Sequence, residues 1–163
     1  MKVLLVRPRP HPETIGLQDV MICEPLELEY LGAALKNAGH EVVIIDMILE
    51  RRPLSFFVQQ HQPDFVGLTA YIAHINIVKE YAAAVKAAAP ACKVVVGGVH
   101  AEVVPEDFVD RNIDYIVRGN GIKTMLELVE GKSDADCVWK EGAPPCTKET
   151  TFQYPHPDRS LAS

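Results

Sequence analysis

The sequence predicts an α/β domain in which a five-stranded parallel sheet is covered by helices on both faces. Short apolar runs alternate along the chain with segments of helical periodicity, which is the pattern of parallel strands joined by helical crossovers. The apolar runs are nearly continuous rather than alternating, as burial on both faces requires. A chain of 163 residues is long enough to form one such domain with a sizeable core.

The strands are predicted from runs of aliphatic and β-branched residues. In chain order they cover Val3–Val6, Val42–Asp46, Phe65–Thr69, Lys93–Gly97 and Asp114–Arg118.

The helices are predicted from apolar spacing and from their start and stop residues. The first begins with Pro25, has Glu27 and Glu29 at its positive end, and stops at Gly39. An alanine-rich helix is ended by Pro90, and the last helix is ended by Gly131. In chain order the helices cover Pro25–Ala38, Leu54–Gln60, Ile75–Ala89, Glu106–Arg111 and Ile122–Glu130.

The alternation of apolar runs and helical segments ends after Gly131. Cys137–Lys140 followed by Glu141-Gly142 is typical of one arm and the turn of a hairpin, and from Pro144 the chain resembles a linker. We therefore expect a domain over residues 1–131, a hairpin extension over 132–150 and a linker over 151–163.

Composition excludes several classes of partner. The net charge of -6 argues against a nucleic-acid backbone. The apolar runs are shorter than the roughly 18 residues of a membrane span, and the N-terminus does not resemble a signal peptide.

The four cysteines lack CxxC spacing, so we expect ordinary thiols in a reducing cytoplasm. The CxxxCxxC spacing of a catalytic iron–sulfur cluster is also absent.

The loops after the strands are the place to look for a binding site, because open α/β sheets bind ligands at the carboxyl ends of their strands. The loop Pro8–Cys23 is long, which is typical of functional loops. Glycines end two neighbouring strands, at Gly97-Gly98 and at Gly119–Gly121. They form either a shelf on which a ligand approaches the backbone or simple tight turns, and both interpretations stay open.

The usual phosphate signatures of this fold class are missing. The chain has neither GxGxxG after the first strand nor GxxxxGK[ST]. Thr69 stands where a phospho-acceptor domain needs an aspartate, and Asp46 is better explained as a strand-end cap than as a ribose ligand.

Four segments together resemble a known family: Glu24–Met47, Asp64–Tyr71, Val94–Glu106 and Ile113–Gly121. They are similar to the cobalamin-binding domains that precede radical S-adenosylmethionine (SAM) barrels. The pattern resembles the anaerobic magnesium-protoporphyrin monomethyl ester cyclases and the B12-dependent radical SAM methylases. The resemblance covers residues 1 to about 131, and the tail Tyr154–Leu161 is similar to the "PDR" linker that leads into the barrel.

The resemblance implies a flavodoxin-like, Rossmann-type fold with strand order 2-1-3-4-5 that binds cobalamin. The nucleotide tail would lie along the carboxyl edge of the sheet, where Thr69 would donate to it and Gly97 and Gly98 would let it approach. The loop after strand one and Tyr71 would face the corrin. The residues implied in cofactor binding are Pro8, Pro10, His11, Thr69, Ala70, Tyr71, Gly97, Gly98, Val99, His100, Arg118, Gly119, Asn120 and Gly121.

The chain departs from related patterns at two places. The methionine-synthase type carries DxHxxG, whose histidine binds cobalt; here His11 is preceded by Arg9 and followed by Gly16 five residues on. His11 is therefore a candidate lower ligand of cobalt without the full motif. Relatives tend to show Gly-Glu-Gly-Glu after strand five, where this chain has Gly119-Asn120-Gly121-Ile122.

The implied function is to hold a corrinoid over the active site of a radical SAM barrel for methyl transfer or oxidative cyclisation, for example of a tetrapyrrole. A 4Fe-4S cluster and SAM are expected only in that barrel, and this chain alone is not expected to be catalytic. One alternative is a hydrolase or transferase with Thr69 or Cys23 as nucleophile, although no spacing suggests its base. The other is a degenerate domain that docks the barrel or a partner without cobalamin.

Overall fold

The computed structural model describes residues 1–10, 23–71, 74–144, 146 and 155–161. Its core is one five-stranded sheet in the order β2-β1-β3-β4-β5, with all neighbouring strands parallel. The predicted fold class and strand order are confirmed. The strands are β1 (Lys2–Arg7), β2 (Glu41–Asp46), β3 (Phe65–Thr69), β4 (Lys93–Gly97) and β5 (Tyr115–Ile116).

Helices connect the strands, and four of the five predicted helices agree with the structure to within about two residues. The helix predicted over 106–111 is wrong: the chain instead forms a helix that starts directly after Gly98, and then a 3-10 turn with Pro105 in its first position. The helices are α1 (Leu26–Asn37), α2 (Leu54–His61), α3 (Ile75–Ala88), α4 (Val99–Val103) and α5 (Gly121–Val129), with 3-10 turns at Pro105–Phe108 and Arg159–Leu161. Within the described ranges, none of these helices has the length and apolar character of a membrane span.

The strands send alternate side chains to two separate core layers. Leu4, Val66 and Val94 pack with α2 and α3 on one face of the sheet. Leu5 and Val95 pack with α1 and α5 on the other face. Because each strand is buried on both sides, the continuous apolar runs of the sequence are explained.

The edge strand β5 is shorter than predicted and is covered by the segment that follows α5. Val117 forms an antiparallel bridge with Val138, the Trp139 N–H donates to the Ile116 carbonyl at 2.7 Å, and the Arg118 N–H donates to the Cys137 carbonyl at 3.0 Å. This pairing satisfies an edge that would otherwise present free backbone groups. The predicted hairpin over 132–150 extends beyond the described residues and stays a prediction.

Asp114 ties the start of β5 to β4 and to α3. Its carboxylate accepts from the Val94 N–H at 2.8 Å, from Lys86 Nζ at 2.6 Å and from Lys93 Nζ at 3.0 Å. Burial acts to raise the pKa of Asp114, but the hydrogen bonds from these three groups outweigh it and hold the pKa below its ordinary value of 3.8.

We expect Asp114→Asn to lower the free energy of unfolding at pH 7 by about 1–2 kcal/mol, because it removes the charge that Lys86 and Lys93 share. A depressed carboxyl pKa stabilises the fold above the unfolded-state pKa, and that contribution is lost as the pH falls through the folded-state value. The stability difference between the two chains should therefore be complete at pH 7 and shrink below about pH 4. Urea unfolding at pH 7 and below about pH 4 measures this difference in the free energy of unfolding, with the exposed Asp136→Asn as control. A difference that does not depend on pH would contradict this role of Asp114.

Candidate functional site

A cavity of about 570 Å³ opens at the carboxyl edge of the sheet, on the face covered by α1 and α5. Its floor is the sheet, its two walls are those helices, and the loops after β3, β4 and β5 surround its mouth. The lining is mainly apolar, and its polar side chains include Glu27, Thr69 and Lys123. The described residues that line it include Leu5, Glu27, Leu28, Tyr30, Leu31, Gly67, Thr69, Val95, Gly97, Gly98, Val99, Glu102, Val117, Gly119, Asn120, Gly121, Ile122, Lys123 and Met125.

Gly67 lies on the floor of the cavity. It lies in the middle of the fully buried strand β3, beside Leu5 of β1 and Val95 of β4 in the same row of the sheet. A Cβ atom at this position would come within 3.0 Å of Leu5 Cδ2 and 3.8 Å of Met125 Cε. A side chain here would press on Leu5, so the glycine lets the Leu5 and Met125 side chains close over the sheet at this point.

Gly97 and Gly98, at the end of β4, serve different purposes. Gly98 has φ of 101°, and a Cβ there would lie 2.7 Å from the Ala70 nitrogen, so close packing of two loops requires this glycine. A Cβ at Gly97 would meet only Val117 Cβ, at the ordinary distance of 3.8 Å. Gly97 is not required by packing, and it lines the cavity. The tight-turn interpretation therefore applies to Gly98, whereas the ligand-shelf interpretation stays a prediction for Gly97.

Thr69 ends β3 beside this shelf. Its side chain is buried, and its Oγ1 lies 3.0 Å from the position that a Cβ of Gly98 would take. The hydroxyl is therefore held at the mouth of the cavity between the ends of β3 and β4, where a ligand that enters along the glycines would meet it.

The loop after β5 is braced by a disulfide between Cys137 and Cys146. Asn120 adopts a left-handed conformation with φ of 46°, and its Nδ2 donates to Cys137 Sγ at 3.5 Å. Gly119 packs against the bridge, because a Cβ there would lie 2.8 Å from Cys146 Sγ. The prediction that all four cysteines are unpaired thiols is wrong for this pair, whose nine-residue separation does not match any motif in the sequence.

The two ends of the long loop after β1 are held together by Arg7. Its guanidinium pairs with the buried carboxylate of Asp46 at the end of β2 and donates to the Cys23 carbonyl, where the chain re-enters the described region. Asp46 also accepts from the Ile48 N–H at 3.0 Å, which agrees with its predicted role as a strand-end cap. His11, the predicted cobalt ligand, lies outside the described residues.

The structure separates the predicted site residues into two groups. Those that line the cavity are Thr69, Gly97, Gly98, Val99, Gly119, Asn120 and Gly121. Those that the structure describes but that do not line it are Pro8, Pro10, Ala70, Tyr71, His100 and Arg118.

Three polar rings near the edge have other contacts. The exposed Tyr71 donates to Glu27, and burial, followed by the Glu27 charge, raises the pKa of its hydroxyl. His74 packs edge-on against Tyr71, and burial lowers the pKa of its imidazole. His100 is turned away toward Asp107, with 2.7 Å between Nε2 and Oδ2. Among the described residues, no group of three or more His, Cys, Asp or Glu side chains could hold a metal.

The walls of the cavity were missed by the sequence analysis. Leu28 and Leu31 of α1 and Ile122 and Met125 of α5 have the spacing of ordinary core residues, and no local feature marks them as a wall. Gly67 did carry a signal, because an isolated glycine inside a buried strand indicates a close approach of some other group.

This arrangement defines the class of the protein: an open α/β domain of the flavodoxin-like, Rossmann type, with a cavity at the carboxyl edge of its parallel sheet, where such sheets bind their ligands. The sequence profile of the family described as "B12 binding domain" matches residues 14–129. The chain belongs to this family, and the predicted resemblance is confirmed.

Relatives with known activities are similar over most of this chain. The chain is 31% identical over 137 residues to hopanoid C-3 methylase from Methylococcus capsulatus, covering 80% of this chain and 26% of the methylase. It is 28% identical over 136 residues to the anaerobic magnesium-protoporphyrin IX monomethyl ester cyclase from Cereibacter sphaeroides, covering 80% of this chain and 22% of the cyclase. The chain thus spans about a quarter of the length of these relatives.

A solved structure shows the same fold. The cobalamin-dependent SAM radical enzyme OxsB, with aqua-cobalamin and SAM bound, superposes with a TM-score of 0.68. The match covers 92% of this chain and 22% of OxsB, at 19% identity. The flavodoxin-like architecture is therefore shared with a domain inside a larger enzyme.

The Cys137–Cys146 disulfide predicts how many thiols react with an alkylating reagent under each condition. We expect alkylation of the unreduced native chain to label one thiol, the exposed Cys23, because Cys92 is buried and burial raises the pKa of its thiol to about 11. Denaturation without reductant should expose Cys92 as a second, and denaturation with reductant should give all four. Mass spectrometry of the alkylated chain counts them. Four labels without reductant would contradict the disulfide.

Proposed function

We propose that this chain binds cobalamin, with the nucleotide tail in the cavity between the sheet and α1 and α5. The single observation that carries the proposal is the cavity of about 570 Å³ at the carboxyl edge of the sheet, where Gly97 leaves its backbone open because packing does not fill the place of its missing side chain. Family membership supports this choice of ligand.

The residues present fit the two ends of a nucleotide tail. A benzimidazole is a flat apolar ring, and the floor and walls around Leu5, Val95 and Met125 are apolar. The ribose and phosphate are polar, and the polar lining includes two donors for them, Thr69 and Lys123, beside the carboxylates of Glu27 and Glu102. In this proposal Thr69 donates its hydroxyl to the tail, and Gly97 allows the tail to lie against the backbone.

The wider role follows from the relatives. We propose that the chain presents the corrinoid to a radical SAM barrel, which would carry the 4Fe-4S cluster and SAM and act in methyl transfer or oxidative cyclisation. When bound, cobalamin supplies methyl-carrier or electron-transfer chemistry. The residues of this chain bind and orient the cofactor and exclude water from its buried tail.

The two alternatives are less well supported. A domain that only docks a partner has no need for such a cavity, since filling it would stabilise the fold. A hydrolase with Thr69 as nucleophile needs a base, for which the described lining offers Glu27, Glu102 and Lys123 but no histidine. Family membership favours a cobalamin domain over a hydrolase.

The first test compares hydroxocobalamin with cobinamide, which lacks the nucleotide tail. Burial of the tail contributes to binding only when the tail enters the cavity. We therefore expect saturable binding of cobalamin, and an affinity for cobinamide that is lower by at least about tenfold. Visible absorption and calorimetry measure both affinities.

Gly97→Leu gives the matched variant, since it fills the cavity without a backbone clash and should abolish the preference for cobalamin. Ala87→Leu, on the exposed side of α3, is the control. Equal affinity for the two corrinoids would place the tail outside the cavity, and failure to bind either would overturn the proposed function.

The second test addresses the Thr69 hydroxyl. Thr69→Val keeps the shape of the side chain and removes one donor, so we expect about a fivefold loss of cobalamin affinity with little change in melting temperature. Ser55→Ala in α2, on the other face of the sheet, should leave the affinity unchanged. An unaltered affinity in Thr69→Val would show that this hydroxyl does not contact the tail.

A further inference from the structure

One flank of α1 carries a stripe of residues that does not face the cavity. We call Glu29, Gly32, Ala33 and Lys36 the α1 stripe; they recur at positions three, four and seven along the helix and therefore share one face. The stripe has an acid at its N-terminal end, a base at its C-terminal end and small residues between them.

Glu29 is the unusual member of the α1 stripe. Its side chain is fully buried, and neither carboxylate oxygen has a hydrogen-bond partner among the described residues. Burial raises the pKa of this carboxyl, the nearby Glu24 charge adds to the effect, and Arg159 opposes it. A buried carboxylate of this kind needs a compensating cation. Among the described residues Arg159 forms an ion pair with it, with its Nε 4.0 Å from Glu29 Oε2.

The segment Asp158–Leu161 matches the α1 stripe in charge and in shape. Arg159 lies at the acidic end, where its Nε is also 3.3 Å from Glu24 Oε2. Asp158 lies at the basic end, with its Oδ2 2.6 Å from Lys36 Nζ. Leu161 fills the space above Gly32, where a Cβ atom would lie 2.8 Å from its Cδ1.

The segment is shaped for this contact by its own hydrogen bonds. The Asp158 carboxylate accepts from the Ser160 N–H at 3.1 Å and from the Ser160 hydroxyl at 2.6 Å, and the Leu161 N–H donates to the Asp158 carbonyl at 3.2 Å. These bonds close the 3-10 turn, which places Arg159 and Leu161 on α1. Leu161 also joins the core layer that contains Leu28 and Leu35.

The same helix forms a wall of the proposed cobalamin cavity. Glu27, Leu28, Tyr30 and Leu31 line the cavity and alternate along α1 with the residues of the stripe. Because a helix of twelve residues moves as a unit, contacts on one flank restrict the position of the other.

We propose that the α1 stripe is the docking site of the chain's own Asp158–Leu161 segment, and that docking fixes the helix that forms the cavity wall. The segment then has two roles. It sets the direction in which the chain leaves the domain, and it holds α1 in the position in which the cavity exists. The effect on cobalamin affinity rests on the proposed function; the docking itself does not.

Amide hydrogen exchange followed by mass spectrometry tests the docking without any ligand. Arg159→Ala removes the counter-charge of Glu29, so we expect roughly fivefold faster exchange both in residues 155–161 and in the first turns of α1. Lys132→Ala, which removes an exposed cation elsewhere, is the control and should change neither. In a Glu29→Leu background the effect of Arg159→Ala on α1 should largely disappear, because the buried charge is gone.

Gly32→Ala separates docking from general stability. Alanine favours a helix over glycine, which opposes the loss of Leu161 packing, so the melting temperature should change little. The added methyl displaces Leu161, so exchange in residues 155–161 should still become faster. The exposed Asn37→Ala, on the same helix, is the matched control. Unchanged exchange of the segment in both Arg159→Ala and Gly32→Ala would overturn the docking site, and unchanged exchange of α1 in Arg159→Ala would overturn the fixing of the wall.

A hydroxocobalamin titration of the same variants adds the functional arm. The Arg159→Ala chain should bind hydroxocobalamin severalfold more weakly than the unsubstituted chain. In that variant α1 must be ordered on binding, and this ordering reduces the net binding free energy. Equal affinities would overturn the link between the segment and the cavity. If the unsubstituted chain does not bind, the proposed function fails, and the exchange measurements still decide the docking.

Discussion

The sheet is packed on both faces, but on one face the packing stops before the carboxyl edge. On the α2–α3 side the strand residues and helices form a continuous buried layer. On the α1–α5 side Leu5 and Met125 close over Gly67 at the centre of one row of the sheet. Beyond it, where the next row ends in Gly97, a cavity of about 570 Å³ opens. Unfilled volume in a core costs stability. The walls, the glycine loops and the polar side chains of the lining are all arranged around this one gap, which is why we regard it as the ligand site.

Helix α1 connects the features that surround the gap. Leu35 packs in the core, Leu28 and Leu31 form the cavity wall, and the α1 stripe receives the Asp158–Leu161 segment. The buried Glu29 makes this arrangement conditional, because its charge is poorly compensated unless Arg159 lies nearby. A helix of this kind gives a binding domain a physical connection between its cofactor and the chain that follows it.

Much of the fold could be predicted because its elements carry local signals. β3 and β4 have the predicted bounds, since continuous aliphatic runs flanked by turn residues define them. Features that depend on tertiary contact could not be predicted in this way. The different roles of Gly97 and Gly98 depend on the distance to Ala70, and the Cys137–Cys146 bridge depends on how the segment after α5 returns to β5. The glycine loops could be predicted from the sequence. The apolar residues of the cavity walls could not, because they have the same spacing as the buried residues of any amphipathic helix.

The central claim is that the cavity between the sheet and α1 and α5 receives the cofactor. Two-dimensional amide NMR of the uniformly labelled chain, titrated with diamagnetic hydroxocobalamin, tests it at residue level. The account predicts progressive shifts of the Gly67 and Gly97 amides, while Ala82 and Val85 of α3, on the opposite face, stay unchanged. Shifts confined to the α2–α3 face, or none at Gly67 when the corrinoid is saturating, would contradict it.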